Sequence, residues 1–185
     1  MPKRNPSSVS PARHDNTCPI VLHVFFVTGI AFGLNYLWET IQCPLFFIHF
    51  DGKATSAVMV TATLGDVAMT WFAQVVVATV SRRWLWLLER WRWPQWTLLL
   101  AVALALSFLL EYWALGTARW AYTDINPRIP GTAISALPVA QLVLLFPLTF
   151  GLTRLLLRTT AMSAWRDQTT IADEQAGKGQ WKGPG

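Results

Sequence analysis

The chain alternates between long apolar runs and short polar connections. The four apolar runs predict helices at about 20–42, 57–80, 96–115 and 132–157. Each run supplies the ~20 residues that an α-helix needs to cross ~30 Å of hydrocarbon. Because the runs are continuous and do not alternate apolar with polar positions, we expect helices rather than membrane strands. The pattern predicts an all-α polytopic membrane protein with four transmembrane helices.

Polar segments lie at both ends of this pattern. Residues 1–18 are rich in Pro, Ser and charged side chains, and residues 159–185 are polar and end in a Gly-rich stretch. Such segments bury too little apolar surface to offset the entropy lost on ordering. We expect flexible cytoplasmic tails there, and a four-helix transmembrane domain at 19–158.

The composition supports a membrane location. Hydrophobic residues make up 53% of the chain and charged residues 14%, whereas soluble domains contain about 25% charged residues. The net charge is +5, but the basic residues lie between the apolar runs. The positive-inside rule explains this arrangement without nucleic-acid binding.

The distribution of Lys and Arg predicts the orientation. The first tail contains three basic residues, the connection between the second and third runs four, and the segment from Arg154 onward five, together 12 of the 15 in the chain. Short loops rich in Lys and Arg stay in the cytoplasm. We therefore expect a multi-pass membrane protein with both termini in the cytoplasm.

The connection at 81–94 is basic and rich in Trp. Trp84, Leu87, Leu88 and Trp91 fall at helical spacing, which predicts an amphipathic segment lying flat at the membrane surface. Its role is either to set the topology with a belt of aromatic rings or to bind lipid. His23, near the same membrane surface, is predicted to be an interface residue.

Polar side chains interrupt each apolar run. An ionisable group at the centre of a span costs about 2.5–3.5 kcal/mol on the insertion scale, so such residues suggest a function. The first run carries them at i, i+3, i+4 and i+7, which places them on one helix face. The strongest polar residues of the four runs are Asn35, Trp38, Glu39 and Gln42, then Asp66, Glu111 and Gln141.

With the predicted orientation, all of these residues fall in the outer half of the bilayer. The outer loop at 116–131 adds further polar side chains, and Arg119 is placed to act as a counter-ion for Glu111. We expect a polar cup open to the outside. Its predicted catalytic residues are Asp66, Glu111 and Glu39, and its predicted ligand-binding residues are Asn35, Trp38, Gln42, Arg119, Trp120, Tyr122 and Gln141.

A structural role is the alternative for several of these residues. Asn and Gln side chains join helices in small membrane bundles, and Glu39 is close enough to its helix end to reach interfacial water. The only metal-like pattern is His49-x-Asp51, which is too short to define a site. We expect no metal and no cofactor.

The polar motifs also carry a resemblance to known proteins. They read Asn35-x-x-Trp38-Glu39-x-x-Gln42, Gly65-Asp66, Glu111, Arg119-Trp120-x-Tyr122, Pro127-x-x-Pro130-Gly131 and Pro138-x-x-Gln141. Over about residues 25–157 this set resembles a group of small uncharacterised bacterial inner-membrane proteins with four helices. This resemblance implies a location in the inner (cytoplasmic) membrane of a bacterium. It is similar, more distantly, to integral-membrane carotenoid hydratases and lycopene cyclases, which implies acid chemistry on a polyene. The chain is shorter than those enzymes and lacks their remaining motifs.

Three functions fit these observations. The first is an enzyme that binds or modifies a lipid or isoprenoid by acid/base chemistry, because acids are clustered beside an apolar interior. The second is a small oligomeric transporter, although the inner halves of the runs offer little polar continuation. The third is an accessory or assembly subunit of a larger membrane complex. The expected partners are membrane lipids, other membrane proteins or a second copy of the chain.

Overall fold

A computed structural model describes residues 17–49, 56–89 and 91–179, with side chains described at 20–48, 56–89 and 91–160. Its long helices are α1 (Thr17–Phe46), α2 (Ser56–Ser81), α3 (Trp93–Gly116) and α4 (Ala136–Gly179). Each of the four contains a stretch long and apolar enough to cross a membrane. The predicted all-α polytopic fold is confirmed.

The first three helices extend past their predicted spans by one to four residues at each end, and α4 differs from its span at both ends. α4 begins at Ala136 rather than at residue 132, because the Ser135 hydroxyl oxygen accepts a hydrogen bond from the Leu137 amide at 3.2 Å. This contact satisfies one of the free N–H groups at a helix start. At its other end α4 continues to Gly179. The flexibility of the two tails stays a prediction, and residues 1–16 and 180–185 lie outside the described residues.

The helices pack with α1 between α2 and α4, and with α3 against α4. Large aromatic and aliphatic side chains fill one half of the interior, including Trp86, Leu99, Phe146 and Phe150. The buried acids and the amides Asn35, Gln42 and Gln141 lie in the other half, whereas the buried amide Gln74 lies with the aromatic side chains. One half of the interior along the bundle axis is therefore mainly apolar, and the other is mainly polar.

A short antiparallel ribbon follows α1 and α3. Its strands are β1 (Phe47–His49) and β2 (Trp120–Tyr122), with Phe47 opposite Tyr122. Asn126 adds a side-chain hydrogen bond of 3.0 Å to the Phe46 carbonyl oxygen. The ribbon, which the sequence pattern did not predict, places Tyr122 over the end of α3.

The connection after α2 folds differently from the predicted flat segment. Arg82 has a φ of 55°, a left-handed conformation that commonly ends helices, and the chain turns back under the bundle. The short 3-10 turn Trp86–Leu88 buries Trp86 and Leu87 at 1% and 0% exposure, whereas Trp84 remains 44% exposed. The predicted shared face of Trp84 and Leu87 is wrong, because Leu87 belongs to the core.

Candidate functional site

Five predicted site residues form one hydrogen-bonded network inside the bundle. Asn35, Glu39 and Gln42 come from α1, Asp66 from α2 and Gln141 from α4. The Gln141 Nε2 lies 3.1 Å from the Asn35 Oδ1, 3.1 Å from the Glu39 Oε1 and 3.0 Å from the Asp66 Oδ2. We call these five residues the acid–amide network. The helical spacing on α1 explains why its three members share one face.

An indole N–H sets the orientation of the amides in this network. The Trp38 Nε1, which can only donate, donates to the Gln42 Oε1 at 2.7 Å. The Gln42 Nε2 is therefore left to donate to the Glu39 Oε1 at 2.9 Å and to the Gln141 Oε1 at 3.0 Å. As a result the Gln141 amide nitrogen faces the two carboxyl groups.

The network has more acceptors than donors. The Gln141 Nε2 carries two hydrogens, but three oxygens lie within hydrogen-bond distance of it. The Cys43 thiol adds one weak donor, to the Glu39 Oε2 at 2.9 Å. Within the described ranges, the one ion pair is Arg83 with Glu89. Two buried carboxyl groups without a cationic partner are costly when both are ionised.

Burial closes this network off from the surroundings. All five side chains are between 0% and 8% exposed, so a ligand reaches them only when neighbouring side chains or helices move. The sequence predicted a cup open to the outside. The structure brings the residues of that cup together as a closed cluster, and its opening toward one membrane surface stays a prediction.

Glu111 lies in a separate contact. Its Oε2 accepts a hydrogen bond from the Tyr122 hydroxyl, and the Tyr122 oxygen accepts one from the Ser135 amide at 3.3 Å. Glu111 is 1% exposed. No hydrogen bond joins it to the acid–amide network in the part of the chain that the structure describes. The three predicted acids are thus divided into the pair Glu39 and Asp66 and the single Glu111.

Arg119 and Trp120 also lie away from the acid–amide network. The Arg119 guanidinium is 5.1 Å from the centre of the Trp113 ring, so its predicted role as counter-ion of Glu111 is wrong. The Tyr122 hydroxyl occupies that position. Trp120 packs edge-on against Phe47 in the ribbon, at 6.0 Å between ring centres.

A second polar group, which the sequence pattern did not predict, lies in the half of the bundle that contains the aromatic core residues Trp86 and Phe150, here named the inner half. His23 is fully buried and is not the predicted interface residue. Its Nε2 lies 3.1 Å from the Gln74 Nε2, and the Gln74 Oε1 accepts from the Trp86 Nε1 at 2.9 Å. We call His23, Gln74 and Trp86 the inner cluster. On α2 the four-residue spacing of Asp66 and Thr70 continues to Gln74. This spacing was the sequence signal from which the buried position of Gln74 could have been predicted.

A metal centre finds no support among the described residues. No group of three His, Cys, Asp or Glu side chains there is arranged to hold a metal ion. Asp51 of the His49-x-Asp51 pattern lies outside the described residues.

The chain thus combines the features of a multi-pass membrane protein with a buried acid pair. No family model, curated protein or solved structure matches it. The resemblances described from its motifs stay predictions.

Proposed function

We propose that this membrane protein binds a lipid or isoprenoid beside the acid–amide network and modifies it by acid/base chemistry. The observation that carries the proposal is the pairing of Glu39 and Asp66, from different helices, through the amide of Gln141. Neither carboxyl group has a basic partner among the described residues.

In the proposed reaction the pair holds one proton between its two carboxyl groups, which gives them complementary roles. The protonated carboxyl group acts as a general acid toward a double bond or oxygen atom of the ligand, and the ionised one acts as a base toward water. Two acids whose surroundings hold them in different protonation states are a recurring arrangement in such enzymes. The Gln141 amide holds both groups in place during the exchange.

An apolar ligand suits the surroundings of this pair. Leu37 and Ile41 on α1 and Leu64 on α2 are exposed on the outer surface of the bundle, where a membrane span meets lipid. A ligand that diffuses in the bilayer approaches the network between helices, without crossing water. Arg119 is exposed beyond the end of α3, where its cation is available to an anionic head group.

Replacing each acid by its amide tests the proposal. E39Q and D66N keep the size of the side chain but remove its acidic carboxyl group, so we expect loss of the modified lipid or isoprenoid from extracts of expressing cells. The measurement is mass spectrometry of total extracts, compared with cells that carry the wild-type chain. E89Q is the matched control, because Glu89 pairs with Arg83 at the surface.

The test requires that both variants fold. Each must be recovered from the membrane as folded protein in wild-type amounts, which size-exclusion chromatography in detergent checks. If folded E39Q and D66N give the same extracts as wild type, the acid pair has no chemical role in lipid modification.

A small oligomeric transporter remains the second candidate. The inner cluster places buried polar groups in the half of the bundle where the sequence indicated few, and this observation favours it. Purified protein in liposomes should then carry protons or small solutes faster than empty vesicles. Equal fluxes in the two preparations would remove this candidate.

A further inference from the structure

Two rows of side chains at i, i+4 spacing run along the facing sides of α1 and α4. The α1 row runs from Asn35 back to His23, and the α4 row from Gln141 forward to Thr153, each over 12 residues. Asn35 and Gln141 are hydrogen-bonded at 3.1 Å. Since both rows then extend about 18 Å in the same direction, His23 and Thr153 lie at the same depth, with Thr149 one turn away.

The contacts of Gln74 fix the tautomer of His23. The Gln74 Oε1 accepts from the Trp86 Nε1, which can only donate. The Gln74 Nε2 therefore donates, once to the Trp84 carbonyl oxygen at 3.1 Å and once to the His23 Nε2 at 3.1 Å. A His23 Nε2 that accepts carries no hydrogen, so the neutral ring is protonated at Nδ1.

Among the described residues, four buried polar atoms near this depth have no hydrogen-bond partner. They are the His23 Nδ1, the hydroxyl oxygens of Thr149 and Thr153, and the Arg154 Nε. The His23, Thr149 and Thr153 side chains are fully buried, whereas the Arg154 guanidinium lies over the Trp91 ring. Elsewhere in the bundle, the buried Thr63 and Thr70 donate to the carbonyl four residues earlier. A buried polar group left without a partner costs about 1–3 kcal/mol.

We propose that His23, Thr149 and Thr153 bind an ordered water molecule in the inner half of the bundle. The water oxygen accepts from the His23 Nδ1–H, and the two threonine hydroxyls complete its hydrogen bonds. Buried waters typically make about three such bonds. His23 acts in this site as a neutral donor. The inference does not depend on the activity proposed for the acid–amide network.

Solid-state NMR of the full chain in lipid bilayers tests both parts of the proposal. With ¹⁵N-labelled histidine, the His23 signals are those that disappear in His23→Phe. We expect a neutral ring with hydrogen on Nδ1 and none on Nε2, together with magnetisation transfer from water to the Nδ1–H. A ring protonated at Nε2, or a wild-type Nδ1–H without transfer from water, would overturn the proposal.

Threonine variants locate the water. Thr149→Val with Thr153→Val removes both hydroxyls and should abolish most of the transfer, whereas Thr149→Ser with Thr153→Ser should keep it. Thr79→Val is the control, because Thr79 is exposed. Unchanged transfer in the folded double valine variant would contradict the site. If that variant does not fold, the wild-type spectrum decides.

Trp86→Phe tests how the tautomer is set. Without the indole N–H the Gln74 amide is free to turn over, so we expect part of the His23 population to shift its hydrogen to Nε2. Trp84→Phe keeps the backbone oxygen that Gln74 contacts and should leave the tautomer unchanged. If His23 keeps the same single tautomer in Trp86→Phe as in wild type, the Trp86 indole does not set it and this explanation is contradicted.

Discussion

Single side chains of unambiguous hydrogen-bonding character determine the geometry of both polar groups. The Trp38 indole orients Gln42 in the acid–amide network, and the Trp86 indole orients Gln74 in the inner cluster. An indole N–H donates and cannot accept, so each amide has one orientation. At the residue scale, the high tryptophan content therefore contributes polar order as well as apolar surface.

Removing the shared amide should destabilise the protein through the acids it leaves unpaired. Gln141→Leu should lower the free energy of unfolding by about 2–5 kcal/mol, since two buried carboxyl groups and the amides of α1 lose a partner. Thermal unfolding in detergent measures the change.

A double-mutant comparison separates this effect from simple packing. In an E39Q/D66N background the carboxyl groups are gone, and Gln141→Leu should cost clearly less than in the wild-type chain. An equal cost in both backgrounds would show that the amide does not act through the acids.

The Tyr122 hydroxyl should have a measurable effect on stability. Tyr122→Phe removes the hydroxyl that donates to the buried Glu111 and accepts from the Ser135 amide, which should cost about 1–3 kcal/mol. Tyr112→Phe makes the same chemical change at a side chain that is 76% exposed. Chemical denaturation should show little change in that control. Equal losses in the two variants would contradict the assigned contact.

At the scale of elements, the end of α2 shows how a connection completes the core. The left-handed turn at Arg82 sends the chain back, and Trp86 then packs against Phe150 of α4 at 5.5 Å between ring centres. The connection is consequently part of the bundle, and its tryptophans have different environments.

Truncating these tryptophans should separate the two environments. Trp86→Ala should lower the free energy of unfolding by about 3–5 kcal/mol, because it leaves a cavity in the core. Trp84→Ala, at a side chain 44% exposed, should cost much less. Thermal unfolding of both variants in the same detergent measures the difference, and similar midpoints would argue against a core position for Trp86.

The elements differ in how far their sequence determines them. The four spans could be predicted from the sequence because a run of ~20 consecutive apolar residues is typical of a transmembrane helix and of few other structures. The β1–β2 ribbon has strands of only three residues, from segments more than 70 positions apart, and no local pattern specifies it.

The same distinction applies to the candidate site. The spacing of Asn35, Glu39 and Gln42 on one helix predicted their common face. The burial of His23 depends on Gln74, 51 positions away, and therefore on how the helices pack. Arg119 pairs with Trp113 because the helix end and the ribbon, rather than charge alone, place its side chain.

On the scale of the whole molecule, the two halves of the interior differ. One half holds the buried acids, and the other holds the large aromatic core with the inner cluster. The basic residues 82, 83 and 92 follow α2 on the aromatic side. If the positive-inside rule applies, Glu39 and Asp66 lie closer to the membrane surface that faces away from the cytoplasm.

Labelling of single cysteines tests this orientation. In a chain with Cys18→Ser and Cys43→Ser, the exposed positions 124 and 82 are replaced in turn by cysteine. A membrane-impermeant maleimide added to intact cells should modify Asp124→Cys and not Arg82→Cys, while both react after lysis. The reverse pattern would place the termini outside and the acid pair near the cytoplasm.

The ribbon also restricts which helices can separate. It ties the end of α1 to the end of α3 by backbone hydrogen bonds, and the Asn126 amide ties the following loop to Phe46 as well. Pulling α1 from α3 at this end would break several bonds at once, whereas α2 has no described link to the ribbon. If a bilayer molecule binds at the acid–amide network as we propose, its route into the bundle should therefore open along α2, the helix that carries Asp66.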